Sequence, residues 1–212
     1  MIFADRLEAG EKLAAALQKY AGRKDTAVVA LPRGGVVPGR IVADALGAPL
    51  DIVVPRKIGA PSNEEYAIGA VTEEGHVVWN EVERAMFDTA KLDVIVKKEV
   101  AEAARRLGKF RAGLPPRDLR GKTVIIVDDG VATGFTMLAA VATVRSMRPR
   151  KIVVAVPVGP PDSIARIGSA VDEVVVLEQP VIFGAIGSFY EEFDQVDDSI
   201  VIRLLQTRKE RL

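Results

Sequence analysis

The residues able to do chemistry fall in three short glycine-bearing stretches, each directly after an apolar run. Pro32-Arg-Gly-Gly35 follows Ala27–Leu31, Pro55-Arg-Lys-Ile-Gly59 follows Leu50–Val54, and Asp128-Asp-Gly-Val-Ala-Thr-Gly-Phe-Thr136 follows Thr123–Val127. Adjacent carboxylates such as Asp128 and Asp129 repel each other unless they accept hydrogen bonds or face a cation. Thr133-Gly-Phe-Thr136 opens a helical stretch running through Met137 to Met147. The first amides of a helix have no intrahelical partner and stand at the positive end of its dipole, so they form an anion site. The Thr133 and Thr136 hydroxyls add donors. A ribose 5-phosphate meets both demands, its vicinal hydroxyls donating to the aspartates while its phosphate rests on the amides. A plain polar turn with Thr136 as a helix cap is the blander reading, and it leaves the other two loops unexplained. The chain has no Gly-x-x-x-x-Gly-Lys-Ser/Thr loop, and no Gly-x-Gly-x-x-Gly follows a strand, which removes the commonest nucleotide and dinucleotide signatures.

The elements that must position these loops are legible as apolar runs alternating with helical stretches. Besides the three runs above, Ile152–Val156 and Val171–Leu177 read as strands. Continuous β-branched runs of this length predict a parallel sheet covered on both faces, a doubly wound α/β fold whose ligands bind beyond the carboxyl ends of the strands. An opening helix is marked by Asp5 with Glu8 three residues on, a capping box. Residues 81–111 predict a long charged helical segment broken near Asp88, with Lys97, Lys98, Arg105 and Arg106 balanced by Glu99 and Glu102 on a solvated face. A last capped helix is expected from Asp197. Two regions depart from the alternation. Residues 55–80 carry Ala67–Val71 and His76–Trp79 around a Glu-Glu-Gly turn and predict a hairpin or flap; residues 178–195 predict a loop bearing Phe183, Phe189 and Tyr190.

Composition narrows the chemistry further. The 212 residues suit one domain, with 49% hydrophobic, 27% charged and only 5% aromatic residues. Without cysteine there is no disulfide, thiolate nucleophile or iron–sulfur site, and His76 is the only histidine. Lys and Arg number 29, as do Asp and Glu, so no global field favours nucleic acid or membrane. The longest apolar runs fall far short of a bilayer span of ~20 residues, and Asp5, Arg6 and Glu8 interrupt any leader, which predicts a cytoplasmic protein. His76 reads as an exposed hairpin residue, Trp79 as packing beneath the flap, and Glu64 and Glu65 as solvated. Phe183 and Tyr190 read equally well as base-stacking or packing residues.

Val124-Ile-Ile-Val-Asp-Asp-Gly-Val-Ala-Thr-Gly-Phe-Thr136 resembles the thirteen-residue phosphoribosyl pyrophosphate (PRPP) signature of type I phosphoribosyltransferases. The order of strand, Arg-Gly-Gly loop, flap and signature is similar to that family across most of the chain. The resemblance implies one domain over 1–212, with a flexible flap at 58–80 and a C-terminal hood at 178–195. It implies Mg-dependent transfer of phosphoribose from PRPP to a nitrogenous base or related acceptor, with release of pyrophosphate, by a homodimer. Asp128 and Asp129 would hold the ribose hydroxyls and, through PRPP, the magnesium. Gly130 and the Ala132, Thr133, Gly134, Phe135, Thr136 loop would hold the 5-phosphate, with the Phe135 ring turned away. Arg33, Gly34 and Gly35 would form the pyrophosphate loop, often held by a non-proline cis peptide. Arg56 and Lys57 would reach PRPP oxygens, Arg33 and Lys57 would stabilise the leaving anion, and the flap at 62–74 would close over it. Phe183 and Tyr190 are the candidates for the acceptor base. A PRPP- or nucleotide-sensing regulator, with an RNA-binding face, and a hydrolase of PRPP or a nucleotide are the competing readings on the same fold.

Overall fold

The computed structural model describes residues 2–115 and 117–207. Five parallel strands form the main sheet: β1 (Thr26–Ala30), β2 (Leu50–Ile52), β6 (Thr123–Val127), β7 (Lys151–Val158) and β8 (Glu173–Glu178), in the order β2-β1-β6-β7-β8. β1 and β6 are buried along their whole length, as continuous β-branched runs require of a sheet covered on both faces. Alternate residues serve opposite faces. Val29, Ile126 and Val154 pack on α5 (Phe135–Ser146) and α6 (Pro161–Gly168); Val28, Ile125 and Val153 pack on α1 (Arg6–Ala16) and α2 (Val36–Leu46). From β1 the chain winds outward to β2, and from β6 it winds the other way through β7 to β8. The winding therefore reverses between β1 and β6, the place where such sheets open a crevice for ligand.

The capping box is present in α1, with one change. The Asp5 carboxylate accepts from the Leu7 and Glu8 amides at 2.8 and 2.9 Å, while Glu8 reaches back to the amide of Ala4 rather than of the cap residue. The charged segment breaks where expected, into α3 (Glu81–Arg84) and α4 (Thr89–Phe110), with Asp88 capping α4 through the Lys91 amide. It is not wholly a solvated face. Leu92, Glu99, Ala103 and Phe110 of α4 are buried. α7 (Asp198–Gln206) starts after Asp197, whose side chain makes no capping bond.

Residues 55–80 form an antiparallel sheet of β3 (Arg56–Ala60), β4 (Asn63–Val71) and β5 (Val77–Trp79). Its base is packed: Ile58, Ala60, Ile68 and Val71 form a core with Leu92 of α4, and Thr72 hydrogen-bonds Thr143 of α5 at 2.6 Å. Its tip, 61–66, is exposed at every residue. Residues 178–195 run from the end of β8 through a 3₁₀ turn at Ile186–Phe189 and are stitched to the N-terminal segment. Phe3 donates to the Phe189 carbonyl at 2.8 Å, and the Glu191 and Glu192 amides donate to Phe3 and Ala4 at 2.8 and 2.9 Å. Among the described residues no helix is long and apolar enough to cross a membrane.

Candidate functional site

The loops that end β1 and β6 meet at the reversal point. A Cβ built on Gly34 would fall 1.9 Å from Asp129 Oδ2, and one on Gly35 would fall 2.6 Å from Asp128 Oδ1. No other residue type fits between this loop and the acids, which explains the paired glycines of Pro32-Arg-Gly-Gly35. The Pro32–Arg33 peptide is cis. The acids themselves are tightly packed. The Asp129 amide donates to Asp128 Oδ1 at 2.9 Å, and Tyr190 donates its hydroxyl to the Asp129 carbonyl at 2.6 Å. Burial pushes the Asp128 carboxyl well above its ordinary range, and the neighbouring Asp129 carboxylate pushes it further. The Asp129 amide and the charge of Arg6 oppose that rise without cancelling it.

Beside the acids lies the predicted anion site. Gly134, at φ 83, is the N-cap of α5, a left-handed turn that glycine adopts without steric penalty. The carbonyls of the preceding turn are tied down by α6: Ser163 Oγ donates to Ala132 at 2.7 Å and Arg166 donates to Thr133 at 3.1 Å. The Arg166 guanidinium also stacks 5.4 Å from the Phe135 ring centre. Phe135 thus packs on α6, and its size does not obstruct the helix N-terminus. Thr136 lines a cleft of ≈ 700 Å³ shared with Arg56, Lys57, Lys91, Lys98 and Glu99, between the flap sheet and α4.

The expected site residues are brought together unequally. Asp128 and Asp129 lie directly against Gly34 and Gly35, while Gly130 packs elsewhere, where a Cβ would meet Ile186 of the 178–195 segment at 2.6 Å and Val158 at 3.2 Å. Arg33 is half-buried and lies 3.7 Å from Asp198 of α7. Arg56 is paired with the buried Glu99, and Lys57, one residue on along the strand, is exposed. The two aromatic candidates separate. Phe183 stacks on Phe189 at 5.3 Å on the outer segment. Tyr190 is buried, with ring centres of Phe3 and Phe193 at 5.4 and 4.9 Å, and braces the backbone of Asp129 instead of offering a ring face to a base. Burial and the neighbouring acids raise its hydroxyl far above the ordinary tyrosine range, so it stays a neutral donor. Glu64 is exposed, as expected, and pairs with Lys98 at 3.3 Å, and Trp79 packs against the flap core; His76, expected exposed, is instead half-buried in the flap turn, 3.9 Å from Glu74.

Two participants escape the sequence reading. Arg6 donates Nε to Asp129 Oδ2 at 2.7 Å. Its signal is a basic residue in the first turn of a helix, where the dipole disfavours one. Glu99 is an acid on the stripe of Leu92, Ala103 and Phe110, and its partner Arg56 explains why a charge is tolerated there.

No cluster of three His, Cys, Asp or Glu side chains suited to a metal ion occurs among the described residues. The fit to a divalent cation is therefore that of an acid pair needing further oxygen ligands from a substrate, and positive charge there would relieve the conflict at Asp128.

The phosphoribosyl transferase domain model matches residues 2–190. Proteins from two Mycobacterium tuberculosis strains, CDC 1551 / Oshkosh and H37Rv, carry provisional phosphoribosyl transferase names and are 42% identical over 206 residues. Those residues are 96% of this chain and 46% of theirs, so the chain spans about half the length of these relatives. The crystal structure of TT1426 from Thermus thermophilus matches with a TM-score of 0.81 at 40% identity, covering 97% of this chain and 98% of that one.

Proposed function

The chain belongs to the phosphoribosyl transferase family, and from that premise we propose that it transfers phosphoribose from PRPP to a nitrogenous acceptor and releases pyrophosphate. The observation that carries this reading is the meeting of three features at one strand reversal: the acid pair, the glycine loop pressed against it and the open N-terminus of α5. The 5-phosphate would take the α5 amides with Thr133 and Thr136, and the ribose hydroxyls would donate to Asp128 and Asp129. The pyrophosphate would then lie along Arg33, Gly34 and Gly35. A nucleophilic nitrogen attacks C1′ while the C1′–oxygen bond to pyrophosphate breaks, and positive charge develops on the ribose ring. Asp128 and Asp129 stabilise that charge; Arg33 and Lys57 stabilise the departing anion. Magnesium held by the acids through PRPP would neutralise pyrophosphate charge. The exposed tip at 61–66 would close over the leaving group and exclude water.

Calorimetric titration of PRPP with magnesium tests the reading on the wild type and on Asp128→Asn/Asp129→Asn. Micromolar binding to the wild type that disappears in the variant is the expected result, followed by a turnover screen of nitrogenous bases. A folded wild-type protein that takes up no PRPP would sink the transferase reading.

A further inference from the structure

Arg6 stands where electrostatics alone would not put it. It is the first residue of α1, and a cation there opposes the helix dipole by a few tenths of a kcal/mol or more. Its side chain is nonetheless only 12% exposed, and its hydrogen bonds and ring contact lead to the acid pair and to the 178–195 segment. Nε donates to Asp129 Oδ2 at 2.7 Å, Nη1 donates to the Asp194 carbonyl at 2.7 Å, and the guanidinium lies 3.8 Å from the Phe193 ring centre. The helix is set to hold it there. Asp5 caps α1, and Gly10 lets α1 approach α2 so closely that a Cβ would meet the Pro38 Cα at 2.9 Å. The segment before α1 is bonded to the same hood it bridges, through Phe3 and Ala4.

Asp129 is consequently gripped twice from one side: its carboxylate by Arg6 and its carbonyl by Tyr190. Asp128 receives the Asp129 amide, shares a side-chain hydrogen bond with Asp129, and feels Arg6 only at a distance. We propose that Arg6 is a positioning residue that orients Asp129 and ties the acid pair to the hood, so that the acceptor side and the sugar side of the site move as one unit. The proposal deepens the phosphoribosyl-transfer reading and rests on it for what the pair binds. The two acids then do unequal work. Asp129 is a preset acceptor for a ribose hydroxyl, held by Arg6, and Asp128 is the buried acid beside it that has no cationic partner of its own. The planar fork of arginine matters because one head reaches a carboxylate and a carbonyl together, which a lysine ammonium on a flexible stem does with less preorganisation.

The test uses Arg6→Gln and Arg6→Lys with two readouts. Hydrogen exchange at the Glu191 and Glu192 amides, which bond to Phe3 and Ala4 and not to Arg6, reports the tie to the hood without any ligand. Calorimetry with Mg-PRPP reports the orientation of the acids. In Arg6→Gln both amides are expected to exchange at least ~10-fold faster and PRPP affinity to fall at least ~10-fold, with Arg6→Lys recovering part of the affinity and little of the protection. Wild-type exchange in Arg6→Gln would overturn the tie, whatever ligand the site takes. Faster exchange with wild-type PRPP affinity would overturn positioning and reduce Arg6 to a brace. A wild type that does not bind PRPP would defeat the transfer reading separately, and the exchange rates would still decide the tie.

Discussion

The two ends of the main sheet treat charge in opposite ways. At the amino ends of β7 and β8, Glu173 is oversupplied with partners: Tyr20 donates at 2.7 Å, Lys151 at 2.9 Å, and Lys19 lies at 2.8 Å. Burial works against its charge, yet the hydrogen bonds from Lys19, Lys151 and Tyr20 win and draw the carboxyl down to about 2. At the carboxyl ends of β1 and β6, two acids share one arginine, and burial with the second acid lifts Asp128 well above its ordinary range. One end is settled within the fold. The other carries a charge conflict that a ligand with hydroxyls or a cation would relieve, and the proposed site lies there.

The sharpest way to break that contrast is to remove the conflict. Asp128→Asn/Asp129→Asn removes two carboxyl acceptors, and hydrogen bonds to charged groups are worth ~1.5–3 kcal/mol each, so PRPP affinity is expected to fall by ~100-fold or more. Calorimetry reads this, with a thermal melt to show that the variant is folded. A smaller loss is expected from Gly34→Ala, whose methyl has no space between Asp129 and the Arg6 guanidinium. The loop must retreat, and affinity for PRPP should drop by about 10-fold or more, in keeping with the misplacement of positioning groups. Gly108→Ala in α4 is the matched control. Nothing lies within 4 Å of its Cβ, so it should leave binding intact and raise stability by up to ~1 kcal/mol.

Asp128→Asn alone should separate stability from function. The folded state raises the Asp128 carboxyl above its unfolded value, so ionisation is disfavoured by folding. That penalty is absent below the unfolded pKa of about 3.9 and grows as pH rises towards and through the folded value. The variant should therefore melt higher than the wild type at neutral pH, lose that advantage as pH falls to the unfolded value, and bind PRPP poorly throughout. Equal melting temperatures at pH 7 would show that the acid pair is not in conflict.

How far these features can be read from the sequence follows the range of the interactions. The strands are legible because continuous Val and Ile runs have no other home than a doubly covered sheet, and the observed β6 coincides with Thr123–Val127. The acid pair and the α5 N-terminus are legible because they are contiguous in the chain. The grip of Arg6 on Asp129 is not, since 123 residues separate them and only the fold brings them together. The same holds for Arg56 and Glu99, and for Tyr190, whose aromatic character reads as stacking until Phe3 and Phe193 are seen to enclose it. The flap illustrates the intermediate case. Glycines and a turn predict a hairpin, but not that its base is buried on α4 and bonded to α5, leaving the tip at 61–66 exposed.

The smallest expected effect falls at the settled end. Glu173→Gln removes the acceptor charge that Lys19, Lys151 and Tyr20 surround, but Lys19 is exposed and the neutral amide can keep accepting from Tyr20 and Lys151, so the loss is held to about 1 kcal/mol or less. Its pH signature has a definite sign. The folded carboxyl is lowered from 4.5 to about 2, so its contribution is complete above the unfolded value and disappears as pH falls through the folded one. Urea unfolding of wild type and variant should therefore differ at pH 7 and converge as the pH falls to about 2, while PRPP affinity at pH 7 stays the same. A variant that instead lost PRPP affinity would connect the two ends of the sheet and end the division of labour between them. An unchanged affinity would mean that the conflict at Asp128 is local, set by Asp129, Arg6 and the glycine loop, and not by the charge balance of the domain as a whole.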